Sequence, residues 1–98
     1  MAELTNKQIQ ALKGMAQRLE PILKIGRNGV STAFITSLDE ALQHHELVKV
    51  KFTEFKEQKK ELSVELATKT NSRLVARVGN VAVLFRQNAD SEARKVKI

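Results

Sequence analysis

Apolar residues recur along this chain with two different periods, and the points where the period changes mark its elements. Ile9, Leu12, Ala16 and Leu19 follow at helical spacing after Thr5 and Gln8, which stand in a capping-box relation, so a helix is predicted over about residues 6–19. Pro21 ends it and opens a short strand, Pro21 to Ile25. Phe34, Ile35, Leu38, Ala41 and Leu42 form the stripe of a second helix over about residues 32–44, closing near His44-His45-Glu46. Val48, Val50 and Phe52 then alternate with Lys49 and Lys51, the period of a half-buried strand with a basic outer row. A third helix is predicted over about residues 56–70 on Leu62, Leu66 and Ala67, with Val64 off that stripe and Asn71 at its end.

Two strands close the pattern, Arg73 to Val78 and Val81 to Arg86, around the two-residue turn Gly79-Asn80. Pairing Val78 with Val81 sets Ala76 opposite Val83 and Leu74 opposite Phe85 on one apolar face. The other face then carries Arg73, Val75, Arg77, Ala82, Leu84 and Arg86. From Gln87 to Ile98 the pattern is lost, and this end is read as a frayed tail or an extra edge strand.

Helix, strand, helix, strand, helix, strand, strand is the order of an α/β (α+β) fold with a four-stranded mixed sheet. The strand-helix-strand units favour parallel neighbours and the hairpin is antiparallel. Crossovers running in one direction put helices two and three on one face, over Val48, Val50, Phe52 and the apolar side of the hairpin. Helix one is left for Val75 and Leu84, with Lys49, Lys51, Arg73, Arg77 and Arg86 around its margins. At 98 residues the chain has room for one domain, taken as a core of about residues 4–87 and a tail.

Charge adds a partner class to this picture. Seventeen Lys and Arg against eleven Asp and Glu give +6, and the excess is uneven: no acid lies between Glu20 and Asp39, or between Glu65 and Asp90. A basic excess gathered into patches is the footprint of a polyanion. With no cysteine, disulfides, thiolate zinc sites and cysteine nucleophiles are excluded. No apolar run approaches the ~20 residues of a membrane span, and Met1 to Thr5 lack the basic-then-apolar order of a leader, so a cytoplasmic protein is expected.

The candidate chemistry sits in Lys24-Ile25-Gly26-Arg27-Asn28-Gly29-Val30, between the first strand and the second helix. Gly26 and Gly29 can take positive φ and let another molecule approach the main chain, and the helix starting at Ser31 or Thr32 turns its positive end to the same space. Lys24 and Arg27 supply charge, and Asn28 can hydrogen-bond sugar or phosphate. No Trp or Tyr is present, and Phe34, Phe52 and Phe85 fall on core stripes, so the aromatic platform of single-strand readers is missing. His44 and His45 are adjacent and point apart, and Asp39-Glu40 reads as a solvated helix face. No catalytic residue, metal site, cofactor or small-molecule substrate is therefore expected.

Five stretches in order carry a family resemblance: Leu4-Thr5-Asn6-Lys7-Gln8, Leu19-Glu20-Pro21, Ile25-Gly26-Arg27-Asn28-Gly29-Val30, Glu46-Leu47-Val48-Lys49-Val50-Lys51, and Val78-Gly79-Asn80-Val81-Ala82-Val83-Leu84-Phe85-Arg86. Together they resemble the CRM (chloroplast RNA splicing and ribosome maturation) domain in its bacterial stand-alone, YhbY-like form. The resemblance implies a fold similar to the carboxyl-terminal domain of translation initiation factor three, with the fourth strand between the second and third. It also implies RNA binding through a KH-like glycine loop, and association with ribosomal RNA in precursors of the large ribosomal subunit. Gly26, Arg27, Asn28 and Gly29 occupy the motif positions. Lys24, Lys49, Lys51, Arg73, Arg77 and Arg86 join the RNA-binding set on electrostatic grounds alone, and Gly79-Asn80 lacks the basic residue that relatives often carry in that turn. A monomeric RNA-binding module is the expectation. The alternative is a module that docks on a ribosomal protein or assembly factor without touching RNA.

Overall fold

The computed structural model describes residues 3–98, so the first two residues of the stretch read above for a leader lie outside it. Its elements are α1 (Asn6–Ala16), β1 (Leu23–Ile25), α2 (Thr32–His45), β2 (Leu47–Phe52), α3 (Lys59–Lys69), β3 (Arg73–Val78) and β4 (Val81–Phe85). A single 3-10 turn, Lys56–Gln58, precedes α3, and another, Ser91–Ala93, lies in the carboxyl-terminal segment. Among the described residues no helix is long and apolar enough to cross a membrane.

The sheet order is β1-β2-β4-β3. β1 runs parallel to β2, and β4 is antiparallel to both β2 and β3. The fourth strand therefore does insert between the second and third. Thr5 begins α1 with the expected capping box, its Oγ1 accepting the Gln8 amide at 3.1 Å while Gln8 Oε1 accepts the Thr5 amide at 2.9 Å. The helix stops at Ala16, one turn short of the predicted end, and Leu19 is exposed. Lys49 explains what happens there: its ammonium donates to the carbonyls of Ala16 and Leu19, both at 3.0 Å. A cation thereby reinforces the carbonyl end of the helix and the turn after it, where the Ala16 carbonyl also accepts the Leu19 amide at 3.0 Å.

Two cores flank the sheet. On one side α2 and α3 pack Leu38, Leu42, Leu66 and Ala67 over Ile25, Val48, Val50, Phe52, Ala82 and Leu84. On the other side α1 packs Leu12 and Ala16 over Leu47, Val75, Val83 and Phe85. Helices two and three thus share a face as expected, but the hairpin presents to them the opposite side from the one predicted. The register of β2 with β4 is the reason. Val48 stands opposite Leu84 and Val50 opposite Ala82, and residues directly opposed on neighbouring strands share a face. Val83 and Phe85 are left for α1.

The hairpin also contains a bulge. Val78 opposes Val81 and Ala76 opposes Val83 as predicted, but Leu74 opposes Leu84 rather than Phe85, and Arg73 takes Phe85. The irregularity falls between Leu74 and Ala76, so Val75 is the extra residue. It is buried in the α1 core beside Ala76, which restores Leu74 to the α2–α3 core. Arg73 and Arg77, placed on one face by strict alternation, are separated: Arg73 shares the face of Phe85, and Arg77 that of Ala82.

The carboxyl-terminal segment is neither frayed nor a strand. It folds back onto Glu46, which is 1% exposed and holds φ at 62°, a region that glycine would occupy without strain. Glu46 Oε2 accepts the Asn88 amide at 2.6 Å, and Oε1 accepts those of Lys95 and Val96 at 2.6 and 2.8 Å. Its carbonyl accepts the Arg86 amide at 2.9 Å, and Val96 packs against the α1 core. Burial pushes the Glu46 carboxyl up, but the amides of Asn88, Val96 and Lys95, aided by the charge of Arg94, outweigh it and hold the group below its usual range.

A carboxyl lowered in the folded state contributes stability that is present above its unfolded pKa, roughly 4.3, and lost as pH falls through the folded value. Glu46→Gln is expected to lower stability by roughly 1–3 kcal/mol at neutral pH, because an amide nitrogen replaces an acceptor among buried donors. The variant should also show faster amide exchange at residues 88–96 and a weaker stability loss on acidification, read from denaturant unfolding as a function of pH. Lys49→Met removes the cation from the end of α1 and should cost about 1 kcal/mol in the same assay.

Candidate nucleic-acid interface

Because β1 and β2 are parallel and Ile25 pairs with Phe52, both strands end at the same edge of the sheet. The segments that follow them must then lie side by side. Antiparallel β4 begins at this edge too, with Val81 opposite Lys51, so the Gly79-Asn80 turn joins them. Hydrogen bonds fasten the group. The Thr53 and Glu54 amides donate to the Ile25 carbonyl at 3.0 and 3.1 Å, and Thr53 Oγ1 donates to it at 2.9 Å. The Phe52 amide donates to the Asn80 carbonyl at 2.7 Å, while Lys59 Nζ donates to Asn80 Oδ1 at 3.1 Å.

The glycine loop is a tight turn in which the Gly29 amide donates to the Gly26 carbonyl at 3.0 Å. Only Gly29 takes positive φ, at 62°; Gly26 does not, although the sequence allowed both. A Cβ on Gly26 would meet open space, whereas one on Gly29 would lie 3.2 Å from Cε2 of Phe55. Glycine at position 29 thus suits the positive backbone angle and leaves room for the ring beside it. Ser31 caps α2, its Oγ accepting the Phe34 amide at 3.1 Å, and its carbonyl accepts the Ile35 amide. The amides of Thr32 and Ala33 remain at the positive end of the helix, next to the loop.

Arg27 and Asn28 are exposed at the tip of the turn. Lys24, Arg27 and Asn28 line a shallow cleft with Ser31 and Ser37, and no carboxylate belongs to that lining. Lys24 also stands beside Lys51 in the β1–β2 register, both exposed. Two ammonium groups on adjacent strands repel each other, and an anion shared between them relieves that repulsion. The other flank of the loop differs in charge: Glu54 and Glu57 line a hollow with Arg27, Phe55 and Lys56.

Of the ten residues in the predicted set, seven gather at this edge: Lys24, Gly26, Arg27, Asn28, Gly29, Lys51 and Arg77, the last beside the hairpin turn. Arg73 and Arg86 lie at the opposite end of the sheet, where Arg73 pairs with Phe85. Arg86 has partners within the chain, donating to Asp39 Oδ1 at 2.6 Å, to the Thr70 carbonyl at 2.7 Å and to the Asp39 carbonyl at 2.9 Å, which ties α2 to the end of α3. Lys49 caps α1. Sequence reasoning overlooked Phe55, whose signal was an apolar residue set inside the charged run from Glu54 to Glu61.

Comparison with known proteins agrees with this architecture. The model of the CRS1 / YhbY (CRM) domain matches residues 4–86. A Haemophilus influenzae protein named "RNA-binding protein" is 33% identical over 93 residues, covering 94% of each chain. A Bacillus subtilis protein named "Probable RNA-binding protein YqeI" is 33% identical over 90 residues, covering 91% of this chain and 94% of its own. The solution structure of a Staphylococcus aureus protein superposes with a TM-score of 0.77 at 32% identity, covering 97% of this chain and all of that one. With the glycine loop, the inserted fourth strand and these relatives in agreement, the chain belongs to the CRS1 / YhbY (CRM) domain family.

Proposed function

We propose that this protein binds RNA by clamping the sugar-phosphate backbone at the glycine-loop edge of its sheet. The observation that carries this reading is the cleft in which Lys24, Arg27 and Asn28 meet the start of α2 with no carboxylate in the lining. Cations, free amides and a helix dipole there favour the same ligand, an anion of phosphate size. The RNA-binding names of the relatives support the choice of nucleic acid over other anions. The finer reading is ribosomal RNA in precursors of the large subunit, bound by a monomer in the cytoplasm as an aid to assembly. Its support is the family resemblance.

Lys51 on β2 and Arg77 near the hairpin turn on β3 continue the basic surface from the loop across the same end of the sheet. Lys49, Arg73 and Arg86 stand outside it, because two of them have partners within the chain and the third lies at the far end of the sheet. Affinity in this mode comes mainly from phosphate contacts, so it falls steeply with salt and discriminates sequence modestly.

Lys24→Glu combined with Arg27→Glu is expected to lower affinity for deproteinised ribosomal RNA fragments at least tenfold at low salt, while thermal stability stays nearly unchanged because both side chains are exposed. Unaltered affinity in the charge-reversed chain would remove the loop from the interface. Crosslinking in cells with sequencing of the attached RNA tests the finer reading, and large-subunit RNA is the expected enrichment. Recovery with subunit precursors by a protein that ignores the bare RNA would favour docking on a protein instead.

A further inference from the structure

Phe55 is the large aromatic side chain that the folded protein leaves in the open, 42% exposed, while Phe52 and Phe85 are buried to 1% or less. It belongs to neither core. Its ring rests on the backbone of the glycine loop, close enough that a Cβ on Gly29 would lie 3.2 Å from Cε2. Its own backbone is left-handed, φ 56° and ψ 33°, a conformation that an aromatic residue rarely adopts. The position is imposed by neighbours, since Thr53 and Glu54 are bonded to the Ile25 carbonyl and the Phe55 carbonyl accepts the Gln58 amide at 3.0 Å. An apolar ring held in this way, in water and beside a cationic loop, is accessible to whatever the loop holds.

The charges on the two flanks differ in a way that fits one nucleotide. On the α2 side Lys24 and Arg27 face a cleft without carboxylates, the environment of a phosphate. On the Phe55 side Glu54 and Glu57 share a hollow with Arg27 and Lys56, so the cations there are balanced. That hollow has no net positive charge to draw a phosphate, but its carboxylates offer acceptors to the amino groups on a base edge. We propose that Phe55 stacks one unpaired RNA base whose adjoining phosphate sits on the α2 side of the glycine loop. The inference rests on the reading of the loop as an RNA clamp and adds to it a preference for unpaired nucleotides, because a base inside a duplex is already stacked on its neighbours and cannot reach the ring.

The test uses the full chain with two probes, an RNA stem-loop and a blunt duplex of the same phosphate count. Phe55→Ala is expected to weaken stem-loop binding about tenfold and duplex binding less than twofold. Phe55→Leu keeps apolar contact with Gly29 but has no π face, and it should behave like Phe55→Ala while remaining folded. Phe55→Trp introduces the sole tryptophan of the chain. It should bind the stem-loop as the parent does, with fluorescence quenched by the stem-loop and not by the duplex. Full stem-loop affinity in Phe55→Ala, equal losses on both RNAs, or an unquenched tryptophan in the bound state would overturn the inference. The Lys24→Glu, Arg27→Glu chain separates the two levels. If it weakens stem-loop binding while Phe55→Ala does not, the clamp stands and the stacking fails; if it binds both RNAs as the parent does, the clamp itself fails.

Discussion

Parallel pairing of β1 with β2 is the constraint from which the rest of this surface follows. Two parallel strands in register end at the same level, so the loops that leave them have to share space. One of these loops turns on glycine and starts α2; the other crosses toward α3 and carries Phe55 over the first. The Ile25 carbonyl makes the arrangement rigid by accepting the Thr53 amide, the Glu54 amide and the Thr53 hydroxyl at 3.0, 3.1 and 2.9 Å. A three-residue edge strand therefore organises the candidate interface while also placing Ile25 in the α2–α3 core, with Leu23 packed against it.

The opposite end of the molecule is held by different chemistry. There the chain closes on a buried carboxylate rather than on apolar contact: Glu46 joins the end of α2 to three amides of the carboxyl-terminal segment. Arg86 ties α2 to α3 a few residues away. Charged groups thus fasten the end away from the glycine loop, where they are partly or wholly withdrawn from water and satisfied. At the loop edge Lys24, Arg27 and Lys51 remain exposed.

Much of this was legible in the sequence because it depended on local rules. The capping box at Thr5, the stripe of α2, the alternation of β2 and the Gly79-Asn80 turn each rest on residues a few positions apart, and each is found where the pattern put it. The hairpin faces were misjudged because a bulge at Val75 and the pairing of β4 with β2 depend on partners distant in the chain. The carboxyl-terminal segment has no period to read, since its order comes from the Glu46 carboxylate some forty residues away. For the site, the motif glycines were visible, but their inequivalence was not: the backbone angle of Gly29 and the packing of Phe55 beside it distinguish it from Gly26.

Net charge alone is a poor guide to how strongly such a surface grips a polyanion. Lys49 faces carbonyls at the end of α1, Arg86 faces Asp39 and Thr70, Lys59 faces Asn80, and Lys69 pairs with Glu65 at 3.2 Å. Each is counted in the +6 of the chain, yet its hydrogen-bonding capacity is at least partly engaged within the fold. The cations free to displace counterions at the loop edge are far fewer, chiefly Lys24, Arg27, Lys51 and Arg77. In the proposed binding mode the salt dependence should therefore reflect about four phosphates rather than the whole basic surplus. With so few phosphate contacts, a contribution other than charge has room to add to affinity in that mode, and stacking on the ring beside Gly29 would supply it.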